Sequence, residues 1–161
     1  YKRQVTGSYC DCPCNNNWFY DSVIENSTTT DILLEDTYNV VNNYFVNVTF
    51  NRSKMEIYNY SIVWFGWHVS VLVTTPMNYT IQGANVKIKD VFNKTWFEGL
   101  TDSFGQVKTK LWEFKINSTD TINFNNYTFI ATYSTSSNST QANITSNAEP
   151  MDPNLLPSIS E

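Results

Sequence analysis

The residues from Val63 to Val73 constrain the fold most, because apolar side chains recur there at every second position. Odd-numbered positions carry Val, Phe or Trp, whereas the even-numbered ones include Gly66, His68 and Ser70. A side-chain period of two is that of a β-strand with one face packed in a core. The stretch therefore predicts a long strand whose histidine, the only one in the chain, points away from the more apolar face.

The composition favours an all-β protein. Aromatic residues make up 16% of the 161 residues, and the strand formers Val, Ile and Thr are frequent. Charged residues make up only 16%, and the net charge is -5, which disfavours attraction to nucleic acid or to anionic membrane surfaces. No apolar run reaches the roughly 18 residues of a membrane-spanning helix. We expect no nucleic-acid partner and no membrane insertion.

The stretch from Gly83 to Val107 contains the clearest local pattern. It predicts a strand over 84–89, a turn over 90–94, a return strand over 95–100, a second turn over 101–105 and a third strand from Gln106. A further strand is predicted over 127–133, where apolar residues occupy both faces. These segments predict a hairpin that continues into a small sheet.

The pattern G-A-x-V-x-I-x-D, a short hairpin and then T-D-S-x-G-x-V resembles the carboxypeptidase-regulatory-like, or prealbumin-like, domain over about Ile62 to Ser134. The resemblance implies an antiparallel, Ig-like β-sandwich. Such domains are common in secreted and cell-surface proteins, including archaeal surface proteins, where they often follow a parallel β-helix. The resemblance names no ligand, because fold and activity are separable.

Four regions are predicted along the chain: an N-terminal arm over 1–30, short strands over 31–61, the sandwich over 62–134 and an extended tail over 135–161. The short strands have Asn at their corners but show no fixed repeat period, so β-helix rungs and additional sandwich strands both fit. Tyr44, Val46, Val48 and Phe50 are predicted to share the packed face of one such strand. Residues 134–147 are rich in Ser, Thr and Asn, which predicts a linker.

Asparagine supplies the most specific functional signal. Chance placement of the Asn, Ser and Thr residues would give about four Asn-x-Ser/Thr acceptor sequons. Ten are present, at Asn26, Asn47, Asn51, Asn59, Asn78, Asn93, Asn117, Asn126, Asn138 and Asn143. They predict a densely N-glycosylated extracellular protein whose sugars supply the solvation that charged residues do not. The alternative is that an Asn- and Thr-rich β protein contains sequons by accident.

The three cysteines lie within five residues, at Cys10, Cys12 and Cys14. A Cys-x-Cys disulfide closes a small strained ring, and three thiols cannot all pair within one chain. An inter-subunit or mixed disulfide, a metal site with a fourth ligand such as His68, and free cysteines all remain open. Calcium binding by Asp31, Glu35, Asp36 or Asp102 is a weaker alternative, since no calcium-loop spacing is present. No cofactor is predicted.

The leading hypothesis is a non-enzymatic extracellular structural subunit that forms a homopolymer, either a filament or a surface layer. An extended terminal segment would pair with the exposed sheet edge of a neighbouring copy. The apolar candidates in the two termini are Val5, Leu155, Leu156 and Ile159. With a single histidine, no nucleophile can be assigned a partnered base, so no catalytic set is predicted.

The alternative hypothesis is a carbohydrate-binding or adhesion module of a larger surface protein. Aromatic side chains could form a platform on which sugars stack, and the candidates are Trp18, Trp64, Trp67, Trp96 and Trp112. Packing in the core is the commoner role of such residues. Two or more exposed, coplanar tryptophan rings would favour the platform.

Overall fold

The computed structural model describes residues 16–24, 28–34, 42–58 and 61–145. Within these ranges the protein is all-β, as predicted, with a single 3₁₀ turn at Arg52–Lys54 and no α-helix. None of the described segments is a helix long and apolar enough to cross a membrane. The strands are β1 (Trp18–Val23), β2 (Ile32–Leu34), β3 (Asn43–Thr49), β4 (Met55–Ile57), β5 (Val63–Leu72), β6 (Asn85–Lys89), β7 (Thr95–Leu100), β8 (Gln106–Ile116), β9 (Thr121–Asn123), β10 (Tyr127–Tyr133) and β11 (Ser136–Ala142).

The chain divides into two compact units. Unit 1 comprises Tyr1–Gly66 and Phe114–Asn123, and unit 2 comprises Trp67–Glu113 and Phe124–Glu161. Strands β5 and β8 each begin in one unit and end in the other. The division differs from the predicted boundary at residue 62, because the end of β8 and all of β9 belong to the N-terminal unit.

The N-terminal strands of unit 1 form a parallel coil, whereas the end of β8 pairs antiparallel with β9. Strand β3 pairs in parallel with both β1 and β5, and β2 pairs in parallel with β4. The chain alternates between these two sheets, so each parallel strand is reached by a crossover through the other sheet. Of the two alternatives left open by the sequence, the parallel pairing of the described strands fits β-helix rungs, and we call each level of this coil a rung.

The repeat that the sequence pattern did not reveal is visible in the strand register. Asn17 contacts Asn43, and Asp21 contacts Asn47, each across 26 residues. The motif Asn-Asn-aromatic-Phe at 16–19 recurs at 42–45, and an aromatic-Phe pair recurs at 64–65 after a shorter interval. Because the two intervals differ, a search for one fixed period misses the repeat.

The predicted face of β3 is wrong at Tyr44. Phe45 and Val48 both pack in the core of unit 1, although their spacing of three residues breaks the alternation of a regular strand. Asn47, which lies between them, has a left-handed backbone with φ of 56° and reverses the pattern. Tyr44 lies on the other face, where its ring stacks on Trp18.

A ladder of phenylalanine rings runs through the core of unit 1. The ring centroids of Phe19 and Phe45 lie 4.6 Å apart, and those of Phe45 and Phe65 lie 5.1 Å apart. Phe114 of β8 follows at 4.7 Å from Phe65. Stacked aromatic rings bury large apolar areas, so this ladder is a principal source of stability for the rungs.

Unit 2 contains an antiparallel four-stranded sheet with the order β11-β10-β6-β7. The predicted strands and turns from 84 to 105 and the predicted strand at 127–133 are confirmed. The alternation predicted for Val63 to Val73 is confirmed too, since Val69, Val71 and Val73 are buried and His68 is exposed. A specifically Ig-like topology remains a prediction.

Tyr127 connects the four-stranded sheet to β8 within unit 2. Its side chain is fully buried, and its hydroxyl donates a hydrogen bond of 2.7 Å to the carbonyl oxygen of Trp112. Since a tyrosine of β10 reaches the backbone of β8, these strands face each other across the core. Burial raises the pKa of Tyr127 above its ordinary value of about 10.

The buried hydroxyl predicts an alkaline limit to stability. A raised pKa in the folded state leaves stability unchanged below about pH 10 and lowers it as the pH rises above that value. Tyr127→Phe should flatten this alkaline loss. It should also cost about 1–3 kcal/mol at neutral pH, because the Trp112 carbonyl loses its partner. Urea unfolding between pH 7 and 11 tests both effects, with replacement of the exposed Tyr133 by Phe as the control. An equal alkaline loss of stability in the wild type, Tyr127→Phe and Tyr133→Phe would refute the assignment of this loss to Tyr127.

The linker predicted at 134–147 is wrong over residues 136–142. Residues 136–142 form β11, which pairs antiparallel with β10 along the whole strand. Its side chains are polar because it is an edge strand with little burial, and backbone hydrogen bonds hold it in place. Ile144, directly after it, is buried. The remainder of the predicted tail, including Leu155, Leu156 and Ile159, lies outside the described residues.

Candidate functional site

Asp90, at the end of the G-A-x-V-x-I-x-D motif, has a structural role. Its buried carboxylate accepts hydrogen bonds of 2.9 Å from the backbone nitrogens of Phe92 and Lys94. The second oxygen accepts a bond of 2.7 Å from the indole nitrogen of Trp96. One carboxylate thus closes the turn and fixes the first residues of β7.

The second half of the motif, residues 101–107, also forms hydrogen bonds and close contacts with the backbone. The hydroxyl of Thr101 donates to the carbonyl of Ile81 and accepts from the nitrogen of Ala84. Gly105 has φ of 73°, and an added Cβ would lie 2.9 Å from a side-chain carbon of Thr80 and 3.0 Å from the backbone of Val73. Because these polar groups bind local backbone, the motif is scaffold.

The sequon asparagines are the candidate functional residues that the structure places at the surface. Asn26 and Asn59 lie outside the described residues. Asn47 and Asn117 are half-buried, and the other six are exposed: Asn51, Asn78, Asn93, Asn126, Asn138 and Asn143. Several lie in the left-handed backbone region that suits tight turns, namely Asn47, Asn78, Asn93 and Asn126.

Two sequons fold into compact Asx turns. The side-chain carbonyl of Asn51 accepts bonds from the nitrogen and the hydroxyl of Ser53, at 3.1 Å and 2.7 Å. Asn117 accepts from the nitrogen and the hydroxyl of Thr119 in the same way, at 2.9 Å and 3.0 Å. In each sequon, the Ser or Thr at the third position binds the carbonyl oxygen of the Asn side chain. The Asn side chain is thereby held in one orientation, at or near the surface.

Asn47 is the sequon asparagine whose side-chain nitrogen is hydrogen-bonded to a neighbouring strand. Its side-chain nitrogen, the atom that would carry a glycan, donates a bond of 2.7 Å to Asp21 on the adjacent rung. Both residues have left-handed backbones, so they form equivalent corners of the coil. The pairing could have been found by aligning 16–21 with 42–47, since the pattern Asn-Asn-aromatic-Phe occurs at the start of both segments.

Only one of the five tryptophans is exposed. Trp18 retains 43% of its accessible surface, Trp112 is buried, and the rings of Trp64, Trp67 and Trp96 are half-buried. Trp18 stacks on Tyr44 at 4.2 Å and lies nearly parallel to Tyr20, which is also exposed, at 5.6 Å. The predicted platform of two exposed tryptophans is therefore absent from the described residues, and one mixed aromatic pair occurs in its place.

The residues of the two predicted metal sites lie partly outside the described part of the chain. Cys10, Cys12 and Cys14 lie outside it, as does Val5, the N-terminal assembly candidate. Within the described residues, no group of three or more His, Cys, Asp or Glu side chains is placed so that it could hold a metal ion. The carboxylate of Asp31 accepts from the nitrogen of Asn51, and that of Asp102 accepts from the nitrogens of Phe104 and Gln106. Asp102 is thus a local turn acceptor, whereas Asp31 connects two segments that are 20 residues apart.

Two exposed carboxylates have a lowered pKa. Hydrogen bonds from the hydroxyls of Thr30 and Tyr58, at 2.7 Å and 2.9 Å, lower the pKa of Glu56. The ammonium of Lys87, 3.1 Å from Glu98, does the same for that residue. Because both carboxylates face water, these interactions contribute little to stability.

Comparison of the chain with known protein families, with curated proteins and with solved structures finds no match.

Proposed function

We propose that the protein is a non-enzymatic, N-glycosylated extracellular subunit that assembles with copies of itself into a filament or surface layer. Its C-terminal unit would be a prealbumin-like sandwich of the kind found in cell-surface proteins. The observation that carries the proposal is the placement of the sequons. None of the eight described sequon asparagines is buried, whereas Asn43, which is not in a sequon, is 1% exposed.

Mass spectrometry of the natively expressed chain tests glycosylation. We expect a mass well above the 18.6 kDa of the polypeptide, with sugar on peptides that contain the exposed sequons. Asn47 should have the lowest occupancy of the described sequons, because its side-chain nitrogen is bonded to Asp21. A mass equal to that of the bare polypeptide would refute the glycosylated subunit.

The outer strands of the four-stranded sheet support assembly by strand donation. Strands β7 and β11 form its two edges, and each pairs within this sheet with one neighbour only. An outer strand offers backbone groups to an incoming extended segment. The apolar residues Leu155, Leu156 and Ile159 would supply side chains for such a segment.

Truncation tests this assembly mechanism. Because β11 and Ile144 belong to unit 2, the C-terminal deletion should begin after Thr145 and leave the sheet intact. We expect the truncated protein to keep its circular dichroism and melting temperature but to lose polymers in negative-stain images. Leu155→Asp with Leu156→Asp should act like the deletion, and Ser158→Asp serves as the matched control. Normal polymers from this deletion and from a deletion of residues 1–14 would exclude strand donation.

A second candidate function is carbohydrate binding by the aromatic pair on β1. Trp18 and Tyr20 retain 43% and 42% of their surface, and their ring planes are 9° from parallel. Sugars stack on such rings through their apolar faces. A glycan array that retains the wild-type protein but not Trp18→Ala would support this function, and an array without any bound glycan would count against it.

A further inference from the structure

Three sequons that are distant in the sequence meet at one end of unit 2. Strand β6 runs into the 90–94 turn, β10 starts directly after residues 124–126, and β11 ends directly before residues 143–145. Since β6 and β11 both run antiparallel to β10, these three segments lie at the same end of the sheet. They carry the sequon residues Asn93, Asn126 and Asn143.

Hydrogen bonds connect the three segments. The backbone nitrogen of Asn126 donates to the side-chain carbonyl of Asn143 at 3.0 Å, so two sequon residues are in direct contact. The nitrogen of Ile144 donates to the side chain of Asn125 at 2.7 Å. The nitrogen of Val91 donates to the carbonyl of Phe124 at 3.5 Å. We name this end the 93/126/143 pole, comprising residues 91–94, 125–126 and 143.

The pole also carries an exposed apolar tip. Val91 and Phe92 retain 52% and 64% of their accessible surface. The Phe92 ring contacts Phe124 only edge-on, with centroids 6.3 Å apart, which leaves much of the ring uncovered. An exposed aromatic tip on a chain with few charges favours association with other apolar surfaces.

Hydrogen bonds fix the side-chain carbonyl oxygens of two of the three sequon asparagines at the pole. The carbonyl oxygen of Asn93 accepts from the ammonium of Lys89 at 3.1 Å, and that of Asn143 accepts from Asn126. Fixing the carbonyl oxygen of an amide fixes the direction of its nitrogen, which lies on the other side of the amide carbon. Asn93 and Asn126 are exposed and have φ of 64° and 70°, so both occupy protruding turn positions.

We propose that N-glycans on Asn93, Asn126 and Asn143 cover Val91 and Phe92 and make this pole a solvated, non-associating end of unit 2. The inference rests on the glycosylation in the proposed function. At each site the side-chain nitrogen forms a bond to the anomeric carbon of a lipid-diphosphate-linked sugar. The bond from that carbon to the phosphate breaks, and the nitrogen loses one proton as the lipid diphosphate leaves. The apolar faces of the first sugars then lie against the exposed tip.

The test removes the glycans without changing the asparagines. Thr95→Ala, Thr128→Ala and Thr145→Ala are combined in the full chain, produced in the glycosylating host. We expect several-fold greater binding of a hydrophobic dye and concentration-dependent association in sedimentation. Adding Phe92→Ser to the triple variant should restore wild-type dye binding. Enzymatic deglycosylation of the wild-type protein should reproduce the increase, which provides a second route if the triple variant folds poorly.

Thr140→Ala is the matched control, because it removes the sequon at Asn138 in β11, which is not part of the pole. Unchanged dye binding in that variant, with an increase in the triple variant, supports the proposal. Sugar at the pole sites combined with equal dye binding in both variants overturns it. Sugar at Asn138 but at none of the pole sites overturns it as well and leaves the proposed function standing. Bare polypeptide at every sequon refutes both.

Discussion

Replacement of Phe45 by alanine is expected to lower the free energy of unfolding by about 3–5 kcal/mol. Phe45 is 4% exposed and occupies the middle of the phenylalanine ladder, with Phe19 on one side and Phe65 on the other. Its removal leaves a cavity between two rings held by parallel strands, so the neighbours cannot easily close the gap.

Chemical denaturation followed by circular dichroism measures this loss, with Phe104→Ala as the control. Phe104 retains 71% of its surface, and its truncation should change stability by less than about 0.5 kcal/mol. Similar small losses in the two variants would show that the ladder contributes no more than a surface residue does.

Asp90→Ala is expected to cost about 2–4 kcal/mol in unit 2. The change removes a charged acceptor of three hydrogen bonds and leaves three donors without their partner, namely the nitrogens of Phe92 and Lys94 and the indole of Trp96. The first turn of the hairpin should loosen, and amide hydrogen exchange at residues 92–96 should accelerate more than at β10.

Asp90→Asn separates shape from hydrogen bonding, because its carbonyl oxygen can still accept from the two backbone nitrogens. Its amide nitrogen would then face the indole nitrogen of Trp96, a contact between two donors. We expect an intermediate loss of stability. If Asp90→Asn were as stable as the wild type and the stability of Asp90→Ala were within about 0.5 kcal/mol of it, a structural role for the carboxylate would be excluded.

Features set by neighbouring residues could be predicted from the sequence. The hairpin from 84 to 105 is determined by alternation and by turn residues such as Asp90 and Gly105, all within one short segment. The rungs of unit 1 could not, because their partners are separated by unequal lengths of chain and the left-handed Asn47 interrupts the alternation. The composition of β11 predicts a linker, because the strand is stabilised by backbone pairing, which cannot be recognised from the side chains.

The candidate glycan sites show the same difference. Each sequon is a local motif and is found by reading three residues. Their exposure and their meeting at one pole depend on which strands end together, as the contact between Asn126 and Asn143 illustrates. The hydrogen bond from Asn47 to Asp21 likewise depends on the stacking of two rungs.

The interleaving of the two units has a consequence for biosynthesis. As the chain leaves the ribosome, Phe65 emerges well before Phe114, the ring that stacks on it within unit 1. The whole first segment of unit 2, Trp67–Glu113, must be translated in between, so unit 1 cannot be completed before that segment is available. A nascent chain arrested before residue 114 would leave Phe65 without one of its stacking partners, and any contiguous stretch of the gene that encodes all of unit 1 also encodes the first segment of unit 2.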